Sequence, residues 1–79
     1  MKIYPNPSRN LMTLEIAAGM GDESIIQIYN INGQREKELR MAAGEQKASF
    51  SVDDMAAGFY ILKWISGSKE VNKKIIVVK

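Results

Sequence analysis

Gly58-Phe59-Tyr60-Ile61-Leu62-Lys63-Trp64-Ile65-Ser66-Gly67-Ser68 is the stretch that decides the fold. Tyr60, Leu62 and Trp64 alternate with Phe59, Ile61, Lys63 and Ile65 at the two-residue period of a β-strand. Both faces are apolar, which places this strand in the interior of a sheet. Gly58 lets the chain leave a tight loop with positive φ and enter the strand. Ser66-Gly67-Ser68 then reads as a hairpin connection.

The same period runs outward in both directions. Met12, Leu14 and Ile16 share one face against Thr13 and Glu15; Ile26 and Ile28 alternate with Ile25, Gln27 and Tyr29. Ala48, Phe50 and Val52 alternate with Lys47, Ser49 and Ser51, the pattern of a half-buried strand. Val71, Ile75 and Val77 form one face of a final strand, with Ile76 and Val78 on the other. The charged run from Gln34 to Arg40 suits a short edge strand, where alternating charge discourages edge-to-edge pairing. Ile3-Tyr4 is a stub strand ended by Pro5, which cannot donate to a ladder. Asn32-Gly33 suits a type I′ hairpin, and Ala43-Gly44-Glu45 a further turn. Gly19-Met20-Gly21-Asp22 makes a looser loop, and Asp53-Asp54-Met55-Ala56-Ala57 a short helical turn before Gly58. Six or seven short strands at this spacing indicate an antiparallel sandwich or barrel. No repeat, low-complexity tract or linker divides residues 1–79, so they read as one domain.

Composition narrows the function. The 79 residues hold no cysteine and no histidine, which removes disulfides, the common zinc sites and the Ser-His and Cys-His nucleophile pairs. A chain this short buries only about 60% of the surface its unfolded form exposes, so its stability is marginal. Eleven basic residues against nine acidic give a formal charge of +2, with no basic stripe interleaved with aromatics; nucleic acid is not an expected partner. No apolar run approaches the ~20 residues of a membrane span. The start Met1-Lys2-Ile3-Tyr4-Pro5 lacks the apolar core of a signal peptide, so export would depend on a signal carried elsewhere on a longer chain.

Three groups of residues stand out as candidates for recognition. Pro5-Asn6-Pro7 fixes φ at two of three positions; it is either a rigid lead-in turn or a pre-ordered epitope with a low entropy cost of binding. Gly58 and Tyr60 flank Phe59, and Tyr60 is expected to bury its ring and bond its hydroxyl to nearby backbone. Lys73-Lys74-Ile75-Ile76-Val77-Val78-Lys79 is either the last strand of the sheet, with lysines snorkelling at its borders, or a strand that a partner reads or augments. Asp22, Glu23, Asp53 and Asp54 do not match a calcium loop; Asp53-Asp54 suits a cap on the turn that follows. No metal, cofactor or catalytic residue is expected, and the chain does not read as an enzyme.

At these residues the chain resembles the C-terminal sorting domains of cargo proteins of the type IX (Por) secretion system of Bacteroidetes. Tyr4-Pro5-Asn6-Pro7 matches the motif that opens the family's pattern. Strands like Leu14-Glu15-Ile16 and Ile28-Tyr29-Asn30-Ile31-Asn32-Gly33-Gln34 follow. Gly58-Phe59-Tyr60 matches a Gly-x-Tyr motif, and Lys73 to Lys79 a closing lysine-containing strand. One departure is Met55-Ala56-Ala57, where many members have Leu-Pro or Leu-Ala before the glycine; a Met-for-Leu exchange conserves volume.

The resemblance implies an all-β, immunoglobulin-like sandwich of about seven strands, fused to the C-terminus of a larger secreted protein. It implies passage through the periplasm to the cell surface or medium. The implied partners are the outer-membrane translocon and a sortase-like peptidase, with linkage of many cargoes to anionic lipopolysaccharide. By position, Pro5, Asn6, Pro7, Gly58, Tyr60 and Lys73 to Lys79 would form the recognised surface or hold its shape. The residues alone also allow an accessory carbohydrate-binding or adhesion sandwich, for which an exposed Trp64 beside Tyr29 would be the platform. A homodimer through an open edge strand stays possible on either reading.

Overall fold

The computed structural model describes residues 1–17 and 22–79. Their strands are β1 (Lys2–Tyr4), β2 (Leu11–Glu15), β3 (Ser24–Tyr29), β4 (Arg35–Met41), β5 (Lys47–Ser51), β6 (Gly58–Ser66) and β7 (Lys69–Val77). They form two antiparallel sheets, ordered β1-β2-β5 and β4-β3-β6-β7. The expected all-β architecture of about seven short strands is therefore what the chain adopts. β4 pairs with β3, where the constant-type immunoglobulin arrangement places its fourth strand in the other sheet.

Alternation decides which residues meet between the sheets. Met12, Leu14 and Phe50 from the first sheet, with Ile16 and Val52 just past its strands, pack with Ile26, Ile28, Met41, Tyr60, Leu62, Trp64, Ile75 and Val77 from the second. β6 lies inside its sheet, between β3 and β7, as its apolar character on both faces requires. The charged β4 is an edge strand. Met55 is buried among the core residues, its flexible thioether side chain filling the space as a leucine would.

Three local expectations are corrected. Asn32 does not take positive φ, so the β3–β4 connection is not a type I′ turn. Asn30 captures it instead: its Oδ1 accepts the N–H groups of Asn32 at 2.9 Å and Gln34 at 3.0 Å. Gly33 supplies the one positive φ, at 81°, and donates to the Asn30 carbonyl. This is the turn-plus-glycine geometry of longer hairpin loops, and the ladder register slips between Ile28 and Tyr29 beside it.

Among the described residues there is no helix. The helical turn expected at 53–57 is a single four-residue turn closed by Met55 N–H to the Val52 carbonyl, 3.1 Å. The cap expected of Asp53-Asp54 comes from Ser51, whose hydroxyl accepts the Asp53 N–H, while Lys37 on β4 draws the Asp54 carboxylate sideways. The loop expected at Gly19-Met20-Gly21-Asp22 lies outside the described residues except for Asp22. The β6–β7 hairpin is as expected: Ser66 pairs with Lys69, and only Gly67 of the two loop residues has positive φ, the pattern of a type II′ turn.

Candidate recognition site

β7 is the outer strand of its sheet, so among the described residues the backbone groups on its far side face no neighbouring strand. The segment after β1 covers part of that edge. Asn6 Nδ2 donates to the Lys74 carbonyl at 3.1 Å, and Asn6 Oδ1 accepts the Ile76 N–H at 2.9 Å. A primary amide holds one donor and one acceptor side by side, so it completes the ladder as a peptide group would. Two residues on, backbone takes over: Ser8 N–H donates to the Ile76 carbonyl at 3.0 Å, and Val78 N–H to the Ser8 carbonyl at 2.9 Å. This is a parallel bridge between Ser8 and Val77.

The prolines flank Asn6 within this clip. Neither can donate to a ladder, so Asn6 and Ser8 carry its polar contacts. The Tyr4–Pro5 and Asn6–Pro7 peptide bonds are both cis. Ser8 itself is buried, its hydroxyl donating to the Leu11 carbonyl at 2.6 Å, which ties the clip to the start of β2. Sequence reasoning did not select Ser8; a serine after a proline reads as an ordinary turn residue.

Gly58 and Tyr60 stand on the other side of β7, opposite Val77 and Ile75. Gly58 has φ of 150° with open space where a Cβ would sit, so backbone conformation and not crowding selects glycine there. Tyr60 is buried, and its hydroxyl donates to the Ala56 carbonyl at 2.6 Å. A tyrosine near the start of this strand that bonds back to backbone a few residues upstream is the tyrosine corner of immunoglobulin-like sandwiches. Burial, with Glu36 as a lesser cause, pushes its phenol above the ordinary value. The hydroxyl thus stays protonated and donating through the physiological range.

The expected residues therefore fall into two sets. Asn6, Gly58, Tyr60, Ile75, Ile76, Val77 and Val78 meet across or along β7. Pro5, Pro7, Lys73, Lys74 and Lys79 are exposed. Lys74 Nζ sits 4.4 Å from the centre of the Phe59 ring, and Lys79 Nζ donates to the Asp53 carbonyl at 2.7 Å. Phe59 is itself half exposed, a feature the Gly-x-Tyr reading passed over because its strand looked apolar on both sides.

The acidic residues make no shared site. Asp54 pairs with Lys37 at 2.9 Å and Glu23 with Arg40 at 3.5 Å, and the described residues contain no group of three metal-ligating side chains. Trp64 is 0% exposed and offers no face for stacking a sugar.

Compared with known proteins, residues 2–78 match a family model described as the secretion system C-terminal sorting domain. No curated protein matches the chain.

Proposed function

The chain belongs to the family of C-terminal sorting domains of the type IX secretion system, and from that premise we propose that its clipped β7 edge is the part read by the machinery. The family is one of sorting signals, not of enzymes, and its members direct export across the outer membrane to the cell surface or medium. In our reading, residues 1–79 are a single sorting domain at the C-terminus of a larger secreted protein. The translocon takes up the folded domain, a sortase-like peptidase cleaves it from the cargo, and the cargo is anchored or released.

One observation carries this reading. The opening motif and the closing strand, 68 residues apart in the chain, are hydrogen-bonded through Asn6 and Lys74. Two features that look like separate epitopes thus form one continuous surface, with Pro5, Pro7, Lys73 and Lys74 displayed on it. Gly58 and Tyr60 act beneath it, fixing β6 against β7.

The test is a fusion of residues 1–79 behind a Sec signal peptide and a fluorescent reporter, in a Bacteroidetes host with and without the translocon. Reporter at the surface or in the medium only when the translocon is present is the expected result. Reporter held in the periplasm of both strains, with the domain folded, would refute the assignment.

A further inference from the structure

The outer face of the four-stranded sheet carries an apolar patch at the end nearest the clip. Ile31 is 80% exposed, Phe59 51% and Ile61 43%. Ile76, opposite Phe59 on β7, and Tyr29, opposite Ile61 on β3, extend it. Between the Ile31 turn and Phe59-Tyr60 the surface dips into a depression of about 290 Å³, room for a large side chain or two. Contiguous exposed apolar side chains of this kind are a common feature of interaction sites.

Charge says what kind of partner fits. Lys63 Nζ stands 5.4 Å from the centre of the Tyr29 ring and Lys74 Nζ 4.4 Å from that of Phe59. Neither ammonium forms an ion pair among the described residues. The nearby carboxylates are engaged elsewhere: Glu38 accepts from Gln27 and Arg35, and Glu36 from Asn30. The patch thus presents two unmatched cations held over aromatic faces, with exposed apolar side chains between and beside them.

We infer that this patch docks a segment of an export-machinery protein that places apolar side chains on Phe59, Ile61 and Ile31 and carboxylates beside Lys63 and Lys74. The inference rests on the sorting function proposed above and deepens it, because Lys74 and Ile76 are also the residues the Asn6 clip holds in place. The Gly-x-Tyr motif then has two jobs: Tyr60 faces inward and closes the corner, while Phe59 faces outward and meets the partner.

The same reporter fusion tests it, with circular dichroism checking the fold of each variant. The substituted side chains lie outside the core, so the fold is expected to survive. Phe59→Ser with Ile61→Ser, and separately Lys63→Glu with Lys74→Glu, should each lower surface reporter about tenfold or more, the effect of removing interface anchors. Leu11→Ser, which removes an exposed apolar side chain from the other sheet, should retain export. Normal export of both patch variants, while the wild-type fusion still needs the translocon, would overturn the docking surface and leave the sorting function standing. Loss with the serine pair alone would overturn the acidic character of the partner. A photocrosslink from Phe59→p-benzoylphenylalanine to a second copy of the fusion would reassign the patch to self-association. Failure of the wild-type fusion to leave the periplasm would remove the sorting function, and this inference with it.

Discussion

Asn6 does with a side chain what a neighbouring strand does with its backbone, and its two bonds to β7 are exposed to competing water. Each such bond is worth about 0.5–1.5 kcal/mol net. Asn6→Ala should therefore lower the unfolding free energy by about 1–2 kcal/mol in urea titrations; no change would mean the amide decorates the edge without holding it. Tyr60→Phe should cost about 1–3 kcal/mol by leaving the Ala56 carbonyl short of its donor, and unchanged stability would show that water replaces the hydroxyl freely. The partner type of Tyr60 was legible in the sequence, since a buried phenol in a strand needs a nearby acceptor. The partner of Asn6 was not, because no local pattern says which strand lies alongside a turn 68 residues away. The Asn32-Gly33 turn departs for the opposite reason: the pair is a strong local hairpin signal, yet the Asn30 side chain, two residues earlier, accepts the N–H groups of Asn32 and Gln34.

At the scale of elements, the edges are where sequence and structure agree best and where the electrostatics lie. β4 was recognisable from its alternating charge, because a strand with so few apolar side chains can only be an edge. Its Lys37 reaches across to Asp54, and that hydrogen bond holds the Asp54 carboxyl below its ordinary value. A carboxyl with a depressed folded pKa stabilises the fold above its unfolded pKa of about 3.9, and the contribution is lost as pH falls through the folded value. Stability from this pair should therefore be constant from neutrality to about pH 5 and decline below about pH 4. Lys37→Met should flatten that acid limb in chemical denaturation followed across pH. An acid limb identical to wild type would show that Asp54 is solvated in the folded chain. The turn before β6 departs from the helix cap that Asp-Asp before a short run suggests: Ser51, two residues upstream, takes the Asp53 N–H, and the claim of Lys37 on Asp54 comes from β4 and is visible only once the strands are assembled.

For the whole molecule, the decisive fact is that the strands arrive in an order that leaves completion to the end. β7 pairs along its full length with β6 and supplies Ile75 and Val77, both fully buried, to the core. It is also the strand on which the opening segment closes through Ser8 and Asn6. Burying two such side chains contributes about 3–6 kcal/mol, against a total of only about 4–12 kcal/mol expected for a domain of this size. Removing Ile75 to Lys79 should therefore unfold the domain outright, beyond any loss of a recognised surface. Trp64 is the single tryptophan and is fully buried, so its emission is the natural reporter: the truncated chain should show the red-shifted spectrum of a solvated indole, and full-length Asn6→Ala the blue-shifted spectrum of the intact core. If the truncated chain kept the buried spectrum yet its fusion stayed in the periplasm, the closing strand would be a linear tag read independently of the fold. The unfolded spectrum, by contrast, would mean that the closing strand completes the core through Ile75 and Val77, so that any surface displayed on β7 exists only once that strand has docked.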